Sequence, residues 1–398
     1  MRLSKLFSTG LIVVATVLLL APAAFAAESP SQLAAALDQV RRESIQAARE
    51  TQRHQARAAA LDRDLDLLDR DLAARQRGLD ESQAEQAQLL GALERLSLHS
   101  PDDTKAPEAS SALSPLDRAR SQMLLAMTVP ALRSEALALA GEIDSIGSLR
   151  ARIAAKESEL AGLRDALPKY RENLAQILAH RAELIRQLLP ETGKPTDLAA
   201  KPDKTDLNNL IQLADAAAEK RDKALLAHAR AGLPKDKAEA LTLAAADPTR
   251  PQDLRPFAAA EAAMLLPAAG TVLTKDQTGG AEAAGQGLHL ATPSGAVVVA
   301  PFDGQVIYAG PFQPYVLVLI IRHTDGYHSV LAGLGRADSA VGQWVLAGEP
   351  VGVMPDAAGQ GSGGEIYVEL RRNGQPVDPQ PWLAKRDEST GRGDRTGD

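Results

Sequence analysis

Leucines and isoleucines recur at spacings of three and four along two long stretches of the N-terminal half of the chain. The first stretch runs from Ser31 to about Leu98, and the second follows a segment rich in Pro, Ser and Asp over 100–115. This spacing is typical of a coiled-coil seam, and the intervening loop predicts an antiparallel helical hairpin. A helix over 31–98 would be about 100 Å long at ~1.5 Å per residue, too long for the interior of a compact domain. The seam positions are Leu61, Leu65, Leu68, Leu72, Leu79, Leu90, Leu93 and Leu96, then Leu132, Leu139, Ile143, Ile146, Ile153, Leu160, Leu163, Leu167, Leu174, Ile177, Leu184 and Leu188.

Prolines interrupt the helical patterns. Pro130 and Pro168 lie inside the second stretch and should kink or interrupt its helix, because proline lacks an amide donor and crowds the preceding turn. Polar, proline-containing linkers are predicted over 190–204 and 247–256. Between them, residues 206–231 have the periodicity of an amphipathic helix that needs a partner surface. Its apolar positions are Leu207, Leu210, Ile211, Leu213, Ala214, Ala217 and Ala218.

The last part of the chain consists of short runs of β-branched and aromatic residues. From Gly295 the runs AVVVAP, QVIYAG, YVLVLIIRH and YHSVLAG are separated by Asp-Gly or other glycine-containing turns, and GEIYVELRRNG follows near the end. This pattern predicts an antiparallel sheet with tight hairpins over 267–383. The predicted fold class is multidomain, with an N-terminal antiparallel α-helical coiled coil and a C-terminal all-β domain.

Composition and charge narrow the setting in which the chain works. Its 398 residues favour two or three domains, and a formal net charge of -7 gives no indication of nucleic-acid binding. Residues 1–26 combine Arg2 and Lys5 with an apolar stretch and end in Ala-Phe-Ala, which predicts a secretory signal peptide. No later segment is apolar enough to cross a bilayer, so the mature protein is expected to be soluble after export. The chain has no cysteine, so its stability must come from packing without disulfides.

The order of the C-terminal motifs is more specific than their strand class. GLHLATPSGAVVVAPFDGQVIYAG (287–310) is followed by a strand ending in Ile-Arg-His, by VGQWVLAGEPVG (341–352) and by EIYVELRRNGQPVDPQPWL (365–383). This series resembles the LytM or lysostaphin type of zinc endopeptidase, and most closely the EnvC-like murein hydrolase activators, which are degenerate members of that family. The implied division is a signal peptide over 1–26, a coiled-coil hairpin arm over 27–190, a linker and helical regulatory region over 191–257, a degenerate LytM-like β domain over 258–384 and a disordered tail over 385–398.

The resemblance also implies where a zinc site would lie. In the active enzymes H-x-x-x-D and the second His of H-x-H hold the metal, and the other His and one from a Y-x-H-L strand help to activate water. The corresponding positions here are Gly285, His289, Gly333, Glu365 and Tyr367. Glycine has no ligating side chain, and a neutral tyrosine is a poor zinc ligand. The expectation is therefore a domain with no metal, no cofactor and no catalytic residue.

A peptidase fold without its metal keeps a groove in which a partner can bind. In EnvC-like proteins the partner is an N-acetylmuramoyl-L-alanine amidase, and the family's contact positions correspond to Gln286, Tyr315, Tyr367 and Arg371. Tyrosine and arginine are frequent at binding hot spots. Tyr367, Glu369 and Arg371 share one face of the last strand by the two-residue period, so they are expected to line one wall of the groove. Gln286 departs from the family, which has a lysine there.

The family layout assigns roles to the helical regions as well. It implies that the arm docks to a division-site membrane complex called FtsEX, although a spacer or dimerisation rod would have the same pattern. It also implies that a helix within 206–266 covers the groove until the arm is pulled, with Leu210, Ile211 and Leu213 among the covering residues. A helix packed permanently on the domain is the alternative.

The resulting hypothesis is a periplasmic, non-catalytic activator of peptidoglycan amidases in septal cell-wall splitting. One alternative is a peptidoglycan endopeptidase with an atypical metal site that regroups His289, His323 and His328. Another is a rod that binds peptidoglycan passively.

Overall fold

Two long helices form the N-terminal arm. Helix α1 spans Pro30–Leu98 and α2 spans Pro115–Leu188. Interhelical ion pairs join Arg57 to Glu159, Lys156 to Asp64 and Arg75 to Glu142, so positions along α2 fall as those along α1 rise. The predicted antiparallel hairpin is confirmed. The computed structural model describes residues 29–98, 115–189, 207–231, 233–273, 287–313, 315–356 and 364–384.

The arm differs from the sequence-based expectation in two respects. Helix α2 continues through Pro130 and Pro168, so neither proline interrupts it as a break would. A proline removes one backbone donor, and around Pro168 the packing of α2 against α1 supports the helix on both sides. The apolar seam is closed only in part: Leu61 and Ile153 are buried, whereas Leu90 and Ile143 are exposed.

The β domain consists of two antiparallel sheets. Within the described residues, the larger sheet has the order β1-β2-β10-β6-β5-β4-β8, with β11 paired to β10, and the smaller has the order β3-β9-β7. The predicted all-β domain is confirmed. The strands are β1 Thr271–Val272, β2 Leu288–Ala291, β3 Val297–Val299, β4 Gly304–Phe312, β5 Tyr315–Arg322, β6 Tyr327–Ala332, β7 Arg336–Ala337, β8 Trp344–Val345, β9 Pro350–Val353, β10 Glu365–Arg372 and β11 Gln375–Val377.

The larger sheet is buried on both faces. Along β5, Leu319 and Ile321 face a core shared with Val298 of the smaller sheet, whereas Val318 and Ile320 face a second cluster on the opposite side. Successive strand residues point to opposite faces, so a continuous apolar run such as YVLVLIIR can feed two cores. The second cluster is completed by helix α3, Leu207–Arg230. Short helices α4, Lys235–Ala240, and α5, Leu243–Ala246, follow it.

The base of the arm is joined to the β domain by a buried ion cluster. Arg181 of α2 donates to Oε1 of Glu349 at 2.6 Å, and Arg41 Nε of α1 lies 3.9 Å from Oε2 of the same carboxylate. Glu349 is fully buried, and both arginine side chains are at most 2% exposed. Arg41 also donates to the carbonyl oxygens of Thr249, at 2.5 Å, and Trp344, at 3.4 Å. Both helices of the arm therefore meet one carboxylate of the β domain.

The segment predicted as a second linker, 247–256, is packed against the β domain. Asp247 is buried and accepts hydrogen bonds from the Trp344 indole, at 2.9 Å, and from the backbone and hydroxyl of Thr249. Arg250 lies over the Trp344 ring with its guanidinium carbon 4.7 Å from the ring centroid. The polar residues that indicated a loop therefore make tertiary contacts. No helix among the described residues has the length and apolarity needed to span a bilayer.

His323 is a neutral core residue. Its Nδ1 lies 2.8 Å from the Asp303 carbonyl oxygen, and its Nε2 lies 2.8 Å from the Ser329 hydroxyl. Because a carbonyl can only accept, Nδ1 carries the proton and Nε2 accepts from Ser329. Burial lowers the pKa of His323 to about 4. This histidine is held by structural hydrogen bonds, as expected for a core residue.

Replacing Glu349 is expected to destabilise the β domain. Glu349→Gln leaves Arg181 buried without a countercharge and leaves Arg41 with only the more exposed Asp38 carboxylate, which should cost about 3 kcal/mol or more of unfolding free energy. Urea unfolding followed by tryptophan fluorescence measures this loss, because both tryptophans of the chain, Trp344 and Trp382, lie in the β domain. The matched control is Glu159→Gln, which breaks the exposed pair with Arg57 and should cost less than about 1 kcal/mol. Equal losses in the two variants would show that the buried cluster does not stabilise the joint.

His323 should make the β domain less stable in mild acid. Its pKa is about 4 in the folded state and 6.5 when unperturbed, so below about pH 6.5 the unfolded chain binds a proton that the folded chain refuses. Its contribution is fully present above the unperturbed pKa and is lost as pH falls towards about 4, by roughly 3 kcal/mol at ~1.4 kcal/mol per pKa unit. Urea unfolding of the wild type and of His323→Asn gives the unfolding free energy at each pH in this range. The wild type should lose more of it than the variant as pH falls, and parallel dependence on pH in the two proteins would contradict the prediction.

Candidate functional site

Strand β10 places three polar side chains on the face of the larger sheet that α3 covers. Tyr367 donates its hydroxyl to Oε2 of Glu369 at 2.5 Å, and Arg371 pairs through Nε with the other carboxylate oxygen. All three side chains are buried. The expectation that they share one face is met, and they form a single hydrogen-bonded chain along the strand.

Tyr315 at the start of β5 extends this site. Its ring stacks on that of Tyr367 with centroids 5.6 Å apart and planes 7° from parallel. Burial, together with the Glu369 carboxylate, raises the pKa of both phenols. The other side of Tyr367 packs on Gly287, where an added Cβ would lie 2.4 Å from the ring. The structure thus brings together Tyr315, Tyr367 and Arg371.

Within the described residues, the positions that the resemblance assigns to zinc ligands and catalytic histidines do not come together as a metal site. His289 on β2 contacts Glu365 at the start of β10, so these two potential ligands are neighbours. The Tyr367 hydroxyl stays protonated and donates a hydrogen bond to Glu369. Gly333 follows β6 with φ +93°, and a Cβ there would lie 2.6 Å from the Glu365 carbonyl oxygen, so a side chain would be strained and crowded.

A catalytic zinc needs three protein ligands and an open position for water. The described part of the chain has no group of three or more His, Cys, Asp or Glu residues placed to hold a metal ion. His323 is committed to Asp303 and Ser329, and His328 bonds to Asp215. The donor set therefore does not fit zinc. Gly285 and Gln286, named above as a degenerate metal position and a groove position, lie outside the described residues.

Helix α3 lies directly over the site. Leu210, Ile211 and Ala214 are buried against an apolar floor on the sheet. Leu213 was expected among the covering residues, but it is 62% exposed, because at 3.6 residues per turn it lies roughly 120° around the helix axis from the centre of the buried face. The floor consists of Ile307, Tyr308, Phe312, Val318, Ile320, Val330, Ala332 and Tyr367.

Polar contacts flank the apolar contact between α3 and the sheet. Arg371 donates to the side-chain oxygen of Asn208. His328 Nε2 lies 3.0 Å from Oδ2 of Asp215, and Arg322 Nη2 lies 3.0 Å from Oδ2 of Asp222.

The sequence pattern placed His328 only in an alternative metal site and did not identify Arg322 as a site residue. The signal that could have found them is the seven-residue spacing of polar positions 208, 215 and 222 on the helix.

Comparison with known proteins agrees with this geometry. The Peptidase family M23 profile matches residues 283–379. Murein hydrolase activator EnvC of Escherichia coli (strain K12) is 38% identical over 100 residues, which cover 25% of this chain and 24% of that protein. Murein hydrolase activator NlpD of the same organism is 30% identical over 109 residues. The chain thus spans only about a quarter of the length of EnvC.

Named enzymes are also similar to part of the chain. The DD-carboxypeptidase/endopeptidase Mpg of Neisseria gonorrhoeae is 34% identical over 93 residues, which cover 23% of this chain and 21% of that protein. A zinc-containing peptidase structure from Vibrio cholerae is 27% identical and covers 25% of this chain and 30% of that chain, with a TM-score of 0.22. Since both activators and an endopeptidase are similar to the domain, its own side chains must distinguish the two functions.

Shortening Ile211 should loosen α3 without unfolding the β domain. Ile211→Ala removes buried apolar contact with the sheet, so amide hydrogens of α3 should exchange at least about tenfold faster. Hydrogen exchange read by mass spectrometry measures this change. Leu213→Ala is the matched control and should leave exchange in α3 nearly unchanged, because Leu213 is exposed. Equal acceleration in the two variants would mean that Ile211 does not hold the helix.

Proposed function

The C-terminal domain of this chain is an EnvC-like peptidase family M23 domain, and from that premise we propose that the protein is a non-catalytic activator of peptidoglycan amidases. It would bind an N-acetylmuramoyl-L-alanine amidase, which carries the metal and cuts the bond between muramic acid and L-alanine. The observation that carries this proposal is the hydrogen-bonded chain Tyr367, Glu369 and Arg371, which lies on the strand where an active peptidase holds its H-x-H motif.

The donor set supports the proposal that this chain lacks hydrolytic activity. A zinc-bound water is a strong nucleophile because several ligands fix the ion and one position stays open. Here His289 and Glu365 bond to each other, and Gly333 supplies no side chain. This arrangement suits a binding surface, and aromatic and arginine side chains of the kind at Tyr315, Tyr367 and Arg371 are frequent at hot spots.

The position of α3 supports an autoinhibited resting state. The helix buries Tyr367 and contacts Arg371, so an amidase could reach these groups only after α3 has moved. A partner that binds only the uncovered state shifts the population towards it, provided that its contacts repay those lost with the helix.

We assign the arm to docking on a membrane complex of the FtsEX type. Large apolar side chains are exposed on both helices of its distal half. Apolar surface that the partner helix does not cover is available for contact with another protein. The exposed side chains include Leu89, Leu90, Met123, Leu137 and Ile143.

The proposed site of action is the periplasm, at the division septum. Both activator relatives are named for their effect on murein hydrolases, whose substrate is the cell wall. The signal peptide expected over 1–26, which lies outside the described residues, would deliver the chain to that compartment.

Release of dye-labelled peptidoglycan by the cognate amidase tests the proposal. The exported chain should stimulate release while giving none when tested alone. A Leu210→Ala/Ile211→Ala variant should stimulate several-fold more strongly, because its covering helix is loosened, and Leu213→Ala should match the wild type. Adding Arg371→Gln to the loosened variant should abolish the gain.

Two outcomes would contradict the proposal. Dye release by the chain alone, together with stoichiometric zinc in the purified protein, would identify an endopeptidase with an atypical site. Absence of stimulation by both the wild type and the loosened variant, together with cosedimentation with purified peptidoglycan, would identify a passive rod.

A further inference from the structure

Three basic side chains form a row across the sheet beneath α3. Arg322 on β5 pairs in register with His328 on β6, and His328 pairs in register with Arg371 on β10. All three point to the face that α3 covers. Side chains directly opposite each other on adjacent strands are near neighbours, so like charges there repel unless a partner compensates them.

Helix α3 supplies the compensation at regular intervals. Asn208 meets Arg371, Asp215 meets His328 and Asp222 meets Arg322. The three helix residues are seven apart, a step of about 10 Å along the axis at ~1.5 Å per residue, and they lie on one stripe. Two of them are carboxylates, which makes the contact electrostatic as well as apolar.

The row would keep its shape without the helix. Arg322 also donates to Gln305 at 2.6 Å, and Arg371 is held by Glu369. Gln305 and Glu369 belong to the sheet and are buried, so the two arginines stay positioned when α3 leaves. The His328 side chain is 6% exposed, and its buried Nδ1 has no hydrogen-bond partner within the described residues. The uncovered face would therefore present two preorganised guanidinium groups and the His328 imidazole beside an apolar floor.

We propose that Arg322 and His328, together with Arg371, form a carboxylate-recognition row for acidic side chains of the amidase, and that Asp215 and Asp222 of α3 imitate those side chains in the resting state. This inference rests on the proposed function. The floor favours a protein over peptidoglycan as the ligand, since Leu210, Ile211 and Ala214 cover it with apolar contact that sugar hydroxyls would not replace. Charge complementarity of this kind sets partner choice.

If the row binds the amidase, substitutions on α3 and substitutions in the row should have opposite effects on amidase binding; if the row only holds α3 in place, they should have the same effect. Asp215→Asn/Asp222→Asn weakens the attachment of α3 and leaves the side chains of the row intact, so binding and stimulation of the amidase should rise. Arg322→Gln or His328→Gln also weakens the hold but removes a group that the amidase needs. Placed in the Asp215→Asn/Asp222→Asn background, either substitution should weaken binding of the amidase by at least about tenfold.

The test uses the exported chain and the cognate amidase, with affinity measured by fluorescence anisotropy and stimulation measured by dye release. Glu219→Gln on α3 and Arg336→Gln on the β domain are matched controls, since their side chains are 64% exposed and their charge partners, Lys223 and Asp338, lie outside the row. Both controls should behave as the wild type. His328→Gln tests the row independently if Arg322→Gln lowers the melting temperature.

Two results would overturn the inference, and a third would overturn the proposed function on which it rests. Arg322→Gln and His328→Gln that leave affinity unchanged in the loosened background would show that the row only latches α3. If Arg322→Gln and His328→Gln lose cosedimentation with purified peptidoglycan while their affinity for the amidase is unchanged, the row binds carboxylates of the cell wall instead. No binding or stimulation by the wild type or by Asp215→Asn/Asp222→Asn, with α3 shown by hydrogen exchange to be loosened, would instead overturn the proposed function itself.

Discussion

Burial of the larger sheet on both faces is the constraint on which the rest of the structure depends. One face closes against the smaller sheet, and the other closes against α3. Since the central strands β4, β5, β6 and β10 alternate between these two environments, a polar side chain on either of their faces must find a partner inside the protein. The chain Tyr367, Glu369 and Arg371 is the clearest result: each group satisfies its neighbour, and the arginine reaches the helix above.

The two helical parts of the chain contact the β domain in different ways. The arm is joined at its base through buried charges around Glu349, where the loss of the carboxylate leaves Arg181 buried without a countercharge. Helix α3 is held by apolar contact and by charge pairs such as Arg322 with Asp222, whose side chains are 22% and 13% exposed. In the proposed activator the arm would stay attached to the β domain, and α3 would be the element that is displaced. Helix α2 of the arm ends at Leu188 and α3 begins at Leu207, so the two are close in the sequence.

Much of the site could be anticipated because strand alternation is a local property. Placing Tyr367 and Arg371 on one face required only the two-residue period, and the identity of Gly333 excluded a ligating side chain there. Predictions from local patterns were wrong where contacts with distant residues determine burial. Leu213 is an apolar residue of the predicted covering helix, but it faces solvent. Asp247 lies in a segment with the composition of a linker, yet it is buried against Trp344.

The sequence by itself determined the helical arm, the all-β class of the C-terminal domain and the residue types at the degenerate metal positions, since periodicity and side-chain identity depend only on neighbouring residues. Only the tertiary structure decided that Arg322, His328 and Arg371 form one row and that Asn208, Asp215 and Asp222 oppose it. The reason is register: which residues of β5, β6 and β10 lie side by side, and which turn of α3 lies above them, is set by packing between separate segments of the chain, and the α3 partners are 100 residues from Arg322 and 113 from His328.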